Sequence, residues 1–169
     1  MRALILSDTH GYVGKLQDAL YDAGDCDVIV HLGDGVRDLS ALRGYVHADV
    51  LAVRGNNDLF AGDVPDSRVV TVGDVRLFCT HGHLYGVRSD RTALARAAKK
   101  EGCVYALYGH THILADETIE GVRCLNPRFD RLSDGEESRA RSHRDARRRD
   151  LPFYGSVNSK KLKYSAKNA

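Results

Sequence analysis

Apolar residues in the first part of the chain come in short runs, each ending on polar residues or glycine. Arg2–Ser7 predicts a buried strand. Val13, Leu16, Ala19, Leu20 and Ala23 recur at helical spacing and predict a helix over Val13–Ala23, stopped by Gly24. Asp27–Leu32 predicts a second buried strand, broken by Gly33-Asp34-Gly35 and followed by a short helix around Val36–Leu42. Asp49–Val53 predicts a third strand, which runs into Arg54-Gly55-Asn56-Asn57-Asp58. Strand–helix–strand alternation calls for parallel pairing in a layered α/β core.

The rhythm then changes. Arg68–Val72 and Val75–Thr80 flank Gly73-Asp74, a hairpin signal, and Thr118–Ile119 and Val122–Leu125 flank Glu120-Gly121, a second one. Between them lie a helix over Asp90–Lys100, with Leu94, Ala95, Ala97 and Ala98 inward, and a strand over Val104–Tyr108. The second half therefore adds antiparallel strands. Past Pro127 the periodicity fades. Residues 128–150 are dense in Arg, Asp, Glu and Ser, which predicts a disordered or weakly helical segment. Leu151–Tyr154 and Leu162–Tyr164 could return to the body as an edge strand. The chain thus divides into a core over residues 1–127 and a charged tail over 128–169.

Composition adds two features. At 169 residues the chain suits one domain plus a tail and can bury a core without disulfides. It carries 8 His against 1 Met and no Trp. The net charge of +2 hides a split: the tail has 12 Lys and Arg against 6 Asp and Glu, leaving 13 against 17 in the core. No apolar run approaches the ~18–20 residues of a membrane span, and the opening run is too short for a signal peptide, so a cytosolic protein is expected. Cys26, Cys79, Cys103 and Cys124 are scattered, which predicts reduced thiols and no cysteine zinc site.

The polar clusters share one placement, directly after a predicted strand. They are Asp8-Thr9-His10, Gly33-Asp34, Gly55-Asn56-Asn57-Asp58, His81-Gly82-His83 and Gly109-His110-Thr111-His112. Carboxyl ends of strands in α/β sheets converge on one rim, where ligands bind. Each cluster alone reads as an ordinary turn; five in series deliver Asp8, His10, Asp34, Asn56, His81, His110 and His112 to that rim. A mixed set of imidazole, carboxylate and amide donors favours a borderline transition metal. Seven donors exceed the needs of one tetrahedral ion and suit two ions ~3.5–4 Å apart.

Together these motifs resemble the calcineurin-like metallophosphoesterase superfamily, in particular its small bacterial and archaeal phosphodiesterase branch of the YfcE/MJ0936 type. The resemblance runs from Met1 to about Pro127. It implies a four-layer αββα sandwich of two mixed β-sheets flanked by helices, with a dinuclear centre at the strand ends. It further implies that Asp8, His10, Asp34 and His112 hold one ion, that Asp34 bridges, and that Asn56, His81 and His110 complete the second. The expected cofactors are two divalent ions, with Mn first and Ni, Fe, Zn or Mg as alternatives; the expected substrate is a phosphoester.

Two departures stand out. In much of the superfamily a leaving-group histidine follows the ligand asparagine, whereas here Asn57 does. An amide can hydrogen-bond but is no general acid near pH 7, so activated aryl diesters should be the better substrates. Relatives also follow Asn-Pro with Gly-Ser and a final strand, whereas Asn126-Pro127 leads into the charged stretch and Gly155-Ser156-Val157 comes later. An insertion or a shifted reading frame would each explain that.

Other residues keep two readings. His83 either contacts phosphate or supports a ligand, or is a hydrogen-bonded loop histidine. Asp58 either orients Asn57 or a ligand histidine, or caps its turn. Asn57, Asp58 and His83 complete the candidate catalytic set. His31 reads as a satisfied core histidine, Arg54 and Arg88 as surface arginines, and His47 and His143 as surface residues. Rival functions are a nuclease using the Arg-rich tail on nucleic acid, although no aromatic platform interleaves it, and a protein-binding scaffold on the same fold, as in the retromer subunit. No membrane partner is expected, and the sequence leaves monomer or homo-oligomer open.

Overall fold

The computed structural model describes residues 1–128, 155–158 and 163–166. Its elements are β1 (Arg2–Leu6), α1 (Val13–Ala23), β2 (Val28–His31), a 3-10 helix (Val36–Leu42), β3 (Asp49–Ala52), β4 (Ser67–Val72), β5 (Val75–Thr80), a 3-10 turn (His83–Tyr85), α2 (Thr92–Lys100), β6 (Tyr105–Leu107), β7 (Ala115–Ile119), β8 (Val122–Asn126), β9 (Gly155–Asn158) and β10 (Lys163–Ala166).

Two mixed five-stranded sheets form, in the orders β10-β9-β1-β2-β3 and β4-β5-β6-β8-β7. In the first, β1, β2 and β3 run parallel, as the strand–helix–strand alternation predicts. In the second, β5, β6 and β8 are parallel, while β4 and β7 pair antiparallel with β5 and β8. Glu120 and Gly121 both take positive φ, 49° and 84°, which suits the two-residue hairpin between β7 and β8.

Side-chain alternation sorts the core into three slabs. Ala3, Ile5, Val28, Val30 and Val53 face Val70, Leu77, Cys79, Leu107 and Leu125 between the sheets. Leu4, Leu6 and Ile29, one residue out of phase, turn outward to Leu16, Ala19 and Ala23 of α1 and to Leu42. Phe78, Ala106 and Cys124 turn outward to Leu94, Ala95 and Ala98 of α2. The result is the expected α/β sandwich of helix, sheet, sheet and helix. The four cysteines are free thiols, three of them buried.

Some elements differ from the sequence reading. The short helix expected around Val36–Leu42 does form, as a 3-10 helix. The strand β7 starts at Ala115, three residues earlier than the pattern indicates, because its first residues pair with Leu125 and Asn126. Two strands come from beyond residue 150 rather than one edge strand. The first, β9, pairs antiparallel with β1 (Arg2 opposite Asn158), and β10 adds outside it. Leu151–Tyr154 and the charged stretch from Phe129 to Asp150 lie outside the described residues. Among the described residues no helix is long and apolar enough to cross a membrane.

Candidate metal centre

Each candidate ligand sits directly after a parallel strand: Asp8 and His10 after β1, Asp34 after β2, Asn56 after β3, His81 after β5, His110 and His112 after β6. Parallel strands end on the same side, so five loops meet at one rim. Backbone bonds lock them together. Asp8 N–H donates to the Gly33 carbonyl at 2.9 Å, His10 N–H to the Asp34 carbonyl at 3.0 Å, and His110 N–H to Asp8 Oδ2 at 3.1 Å.

The backbone there is strained. Asp8, His10, Asp34, His110 and His112 have φ of 56°, 45°, 57°, 65° and 57°. Among the described non-glycine residues only Glu120 and Arg128 share that left-handed region. Such a conformation costs roughly 1–2 kcal/mol per residue and persists where the surroundings over-determine it, which is typical of functional sites. Residue type gave only a weak hint, in that Asp and His tolerate this region better than most.

At the bottom of the rim lie two buried carboxylates, Asp8 and Asp34, 0 % and 2 % exposed. Donor atoms of Asp8, His10 and His112 lie within 4.8 Å of one another, as do those of Asp8, Asp34 and His81. Asp8 belongs to both groups. Asp34 also reaches both, its Oδ2 being 3.4 Å from His81 Nε2 and 3.8 Å from His10 Nε2. Asn56 Oδ1 is 3.1 Å from His81 Nε2, and the His110 ring centroid is 5.0 Å from that of His81. All seven candidates are thus brought together. Carboxylate oxygens converging with imidazole nitrogens are the donor set a divalent cation takes, and the residues fit one.

The calcineurin-like phosphoesterase superfamily domain matches residues 1–128. The chain belongs to that superfamily. It is 34% identical over 135 residues to the probable metallophosphoesterase YsnB of Bacillus subtilis, covering 78% of this chain and 76% of that protein. It is 26% identical over 144 residues to the phosphodiesterase MJ0936 of Methanocaldococcus jannaschii, covering 75% and 82%. The structure of an archaeal phosphodiesterase superposes with a TM-score of 0.69 at 23% identity over 98% of each chain. The relatives of this metallophosphoesterase thus include the small phosphodiesterase branch.

Electrostatics in the metallophosphoesterase site follow from burial and neighbours. Burial alone would raise the Asp34 pKa, but hydrogen bonds from His81 and from the Asn57 backbone and side chain hold it well below the usual carboxylate range. Burial would lower that of His81, yet the Asp34 hydrogen bond and the Asp8 charge hold it up. Its Nδ1 lies 2.8 Å from the Leu32 carbonyl and so carries a proton, while Nε2 faces Asp34 at 3.4 Å, where a bound cation would replace the second proton. His83 and His110 are both pushed down, first by burial and then by His81. The His83 ring lies 5.4 Å from that of His81, and its Nδ1 is buried with no hydrogen-bond partner among the described residues.

Asp58 accepts four backbone N–H bonds, from Asp34 and Gly55 on Oδ2 at 2.7 and 2.9 Å and from Gly35 and Val36 on Oδ1 at 3.0 Å each. It ties the second ligand loop to the third. Arg54 pairs with Asp66 at 2.7 Å.

Three supporting residues escaped the sequence reading. Thr9 donates to Asp38 Oδ2 at 2.6 Å and meets His31 Nε2 at 3.1 Å, while Gly33 N–H donates to His31 Nδ1 at 3.2 Å. His31 is thus the satisfied core histidine expected, but it also links the first loop to the second. Asn126 is fully buried and donates to the Gly109 carbonyl at 2.8 Å and to Thr111 Oγ1 at 2.9 Å, holding the fifth loop. Nothing in their local sequence sets Thr9, Asp38 or Asn126 apart from common turn residues. A cleft of about 250 Å³ beside the centre is lined by His10, Asp34, Arg37, Asn57, Leu59 and Phe60, among others. A larger one of about 690 Å³, between α1 and the segment 41–48, contains none of the candidate ligands.

Proposed function

We propose that the protein is a phosphodiesterase that uses two divalent cations, manganese first, to hydrolyse a phosphodiester. The observation that carries this reading is the pair of overlapping donor groups, with Asp34 Oδ2 3.8 Å from His10 Nε2 and 3.4 Å from His81 Nε2, set on a rim of strained loops. When bound, such ions lower the pKa of water toward neutrality and offset charge on phosphate oxygens. Asp8, His10, Asp34 and His112 would hold one ion; Asn56, His81 and His110, with Asp34, would hold the other.

The chain's own groups do the rest. Asp58 fixes the spacing of the Asp34 and Asn56 loops through its four amide contacts. His83, whose ring lies beside those of His81 and His110, would donate a hydrogen bond to a phosphate oxygen. Asn57 can hydrogen-bond the ester but has no proton to yield to a leaving alkoxide near pH 7, so esters of acidic alcohols are favoured.

The test is a reconstituted assay. Protein stripped with chelator is reloaded with Mn, Ni, Zn or Mg and given aryl mono- and diesters. Turnover of the diester that needs metal and disappears in Asp34→Asn supports the proposal. Unchanged turnover in that variant defeats the dinuclear centre, and inactivity with every metal favours a binding scaffold.

A further inference from the structure

The loop that carries Asn56-Asn57-Asp58 continues into Leu59 and Phe60, whose side chains are 80% and 81% exposed. Both line the cleft that also contains His10, Asp34 and Asn57. Exposed apolar side chains are common singly, but these two are adjacent and line a cleft at a polar centre, which gives an apolar group of a ligand a surface to rest on. The Arg37 guanidinium lies over the Phe60 ring, 4.9 Å from its centroid. A guanidinium in that position is held by the ring's negative face, steadies the ring, and adds positive charge to the cleft. Most of the Phe60 surface still faces solvent. At about 250 Å³ the cleft falls just below the ~300–1,000 Å³ of pockets for drug-sized ligands, which leaves room for one ring system.

We propose that Phe60, backed by Arg37, is a stacking platform for a planar aromatic group of the substrate, an aryl or nucleobase ring, whose phosphoryl group then faces the ligand rim. The inference rests on the phosphodiesterase reading of that rim and narrows its substrate class. Stacking on an aromatic side chain tolerates many ring types, because every such ring offers a π-face. Arg37 sets its charge toward the anionic phosphodiester, and Leu59 supplies an apolar edge. Asn57 lines the same cleft and bonds Asp34, so its amide lies at the ligand rim.

Equilibrium binding to the full-length, Mn-loaded protein tests this, with AMP, phenyl phosphate and ribose 5-phosphate as probes. The ring-bearing probes should bind at least about fivefold more tightly than ribose 5-phosphate, the lower bound for one stacked ring. Phe60→Ala should erase that advantage, and Phe60→Trp should keep it. Whichever of AMP and phenyl phosphate binds more tightly names the class of ring. Equal affinity for all three probes, an advantage that survives Phe60→Ala, or no binding of either ring-bearing probe overturns the platform. Ring-dependent binding without turnover of any ester would instead overturn the hydrolase reading and leave the platform standing. Turnover without ring preference would do the reverse.

Discussion

Asn57 closes on Asp34 with both its backbone and its side chain: its N–H donates to Asp34 Oδ1 at 2.7 Å and its Nδ2 to Oδ2 at 2.5 Å. The residue that follows Asn56 is therefore tied to a candidate metal ligand. The backbone half of this clamp does not depend on the side chain. Asn57→His should keep Asp34 in place while adding an imidazole able to protonate an alkoxide near pH 7. Turnover of alkyl esters should rise roughly tenfold or more relative to aryl esters, a fraction of the ~10²–10⁴-fold that general acids contribute. Steady-state rates on matched alkyl and aryl diesters measure this; equal gains on both would refute it.

Asp58 should matter to stability before it matters to rate. Asp58→Asn turns one acceptor oxygen into a donor that faces two backbone N–H groups, at a cost of about 2–4 kcal/mol. Burial would raise the Asp58 pKa, but the bonds from Gly55, Val36, Gly35 and Asp34 hold it below the ordinary 3.8. The carboxylate's contribution is thus complete above pH 3.8 and is lost as pH falls from there through the depressed folded value. Urea denaturation should show a gap between wild type and variant at pH 7 that narrows in acid. A gap independent of pH would place the effect elsewhere.

His31 acts in the same sense but in a higher pH window. Full burial pushes its pKa down from 6.5 to about 4, against the nearby Asp8, Asp58 and Asp38 charges. Protons bind the unfolded imidazole first, so stability falls as pH drops from 6.5 toward 4. The loss attributable to this one group is about 3 kcal/mol. His31→Gln removes that titration at some cost in absolute stability. Its urea midpoints should vary less than those of the wild type between pH 7 and pH 4.

Gly109 has no room for a side chain. A Cβ there would collide with Ser7 Oγ and lie 2.6 Å from Asp8 Oδ2. Ser7 Oγ in turn donates to that same oxygen. Gly109→Ala should displace the Asp8 carboxylate and weaken metal affinity roughly 10–100-fold, as loss of supporting contacts does elsewhere. Metal titration by calorimetry is the readout, and wild-type affinity in the variant would show that Asp8 is not a ligand.

Metal should also stabilise the fold. A cation at 100 times its Kd adds about 2.7 kcal/mol to the native state. Chelator-stripped protein should melt higher when Mn is restored, and Asp34→Asn should lose most of that gain. An unresponsive wild type would remove the metal centre.

Local pattern alone determined the strand runs β1 to β6, the helix α1 with its Gly24 stop, and the placement of polar clusters after strands. Apolar runs, helical spacing and glycine breaks are properties of neighbouring residues, so they show in the chain itself. The seven candidate ligands were legible for the same reason. Tertiary structure decided what neighbours cannot. Asp8 meets His110 across 102 residues, and Asp58 reaches back 24 residues to Asp34. Asn126 supports the Gly109 loop, Phe60 comes to the mouth of the cleft, and β9 slots in beside β1 from the far end of the chain. These contacts arise only when separate strand ends are packed on one rim. The left-handed φ of five candidate ligands has the same origin, because backbone strain is held by surrounding contacts rather than chosen by the residue that bears it.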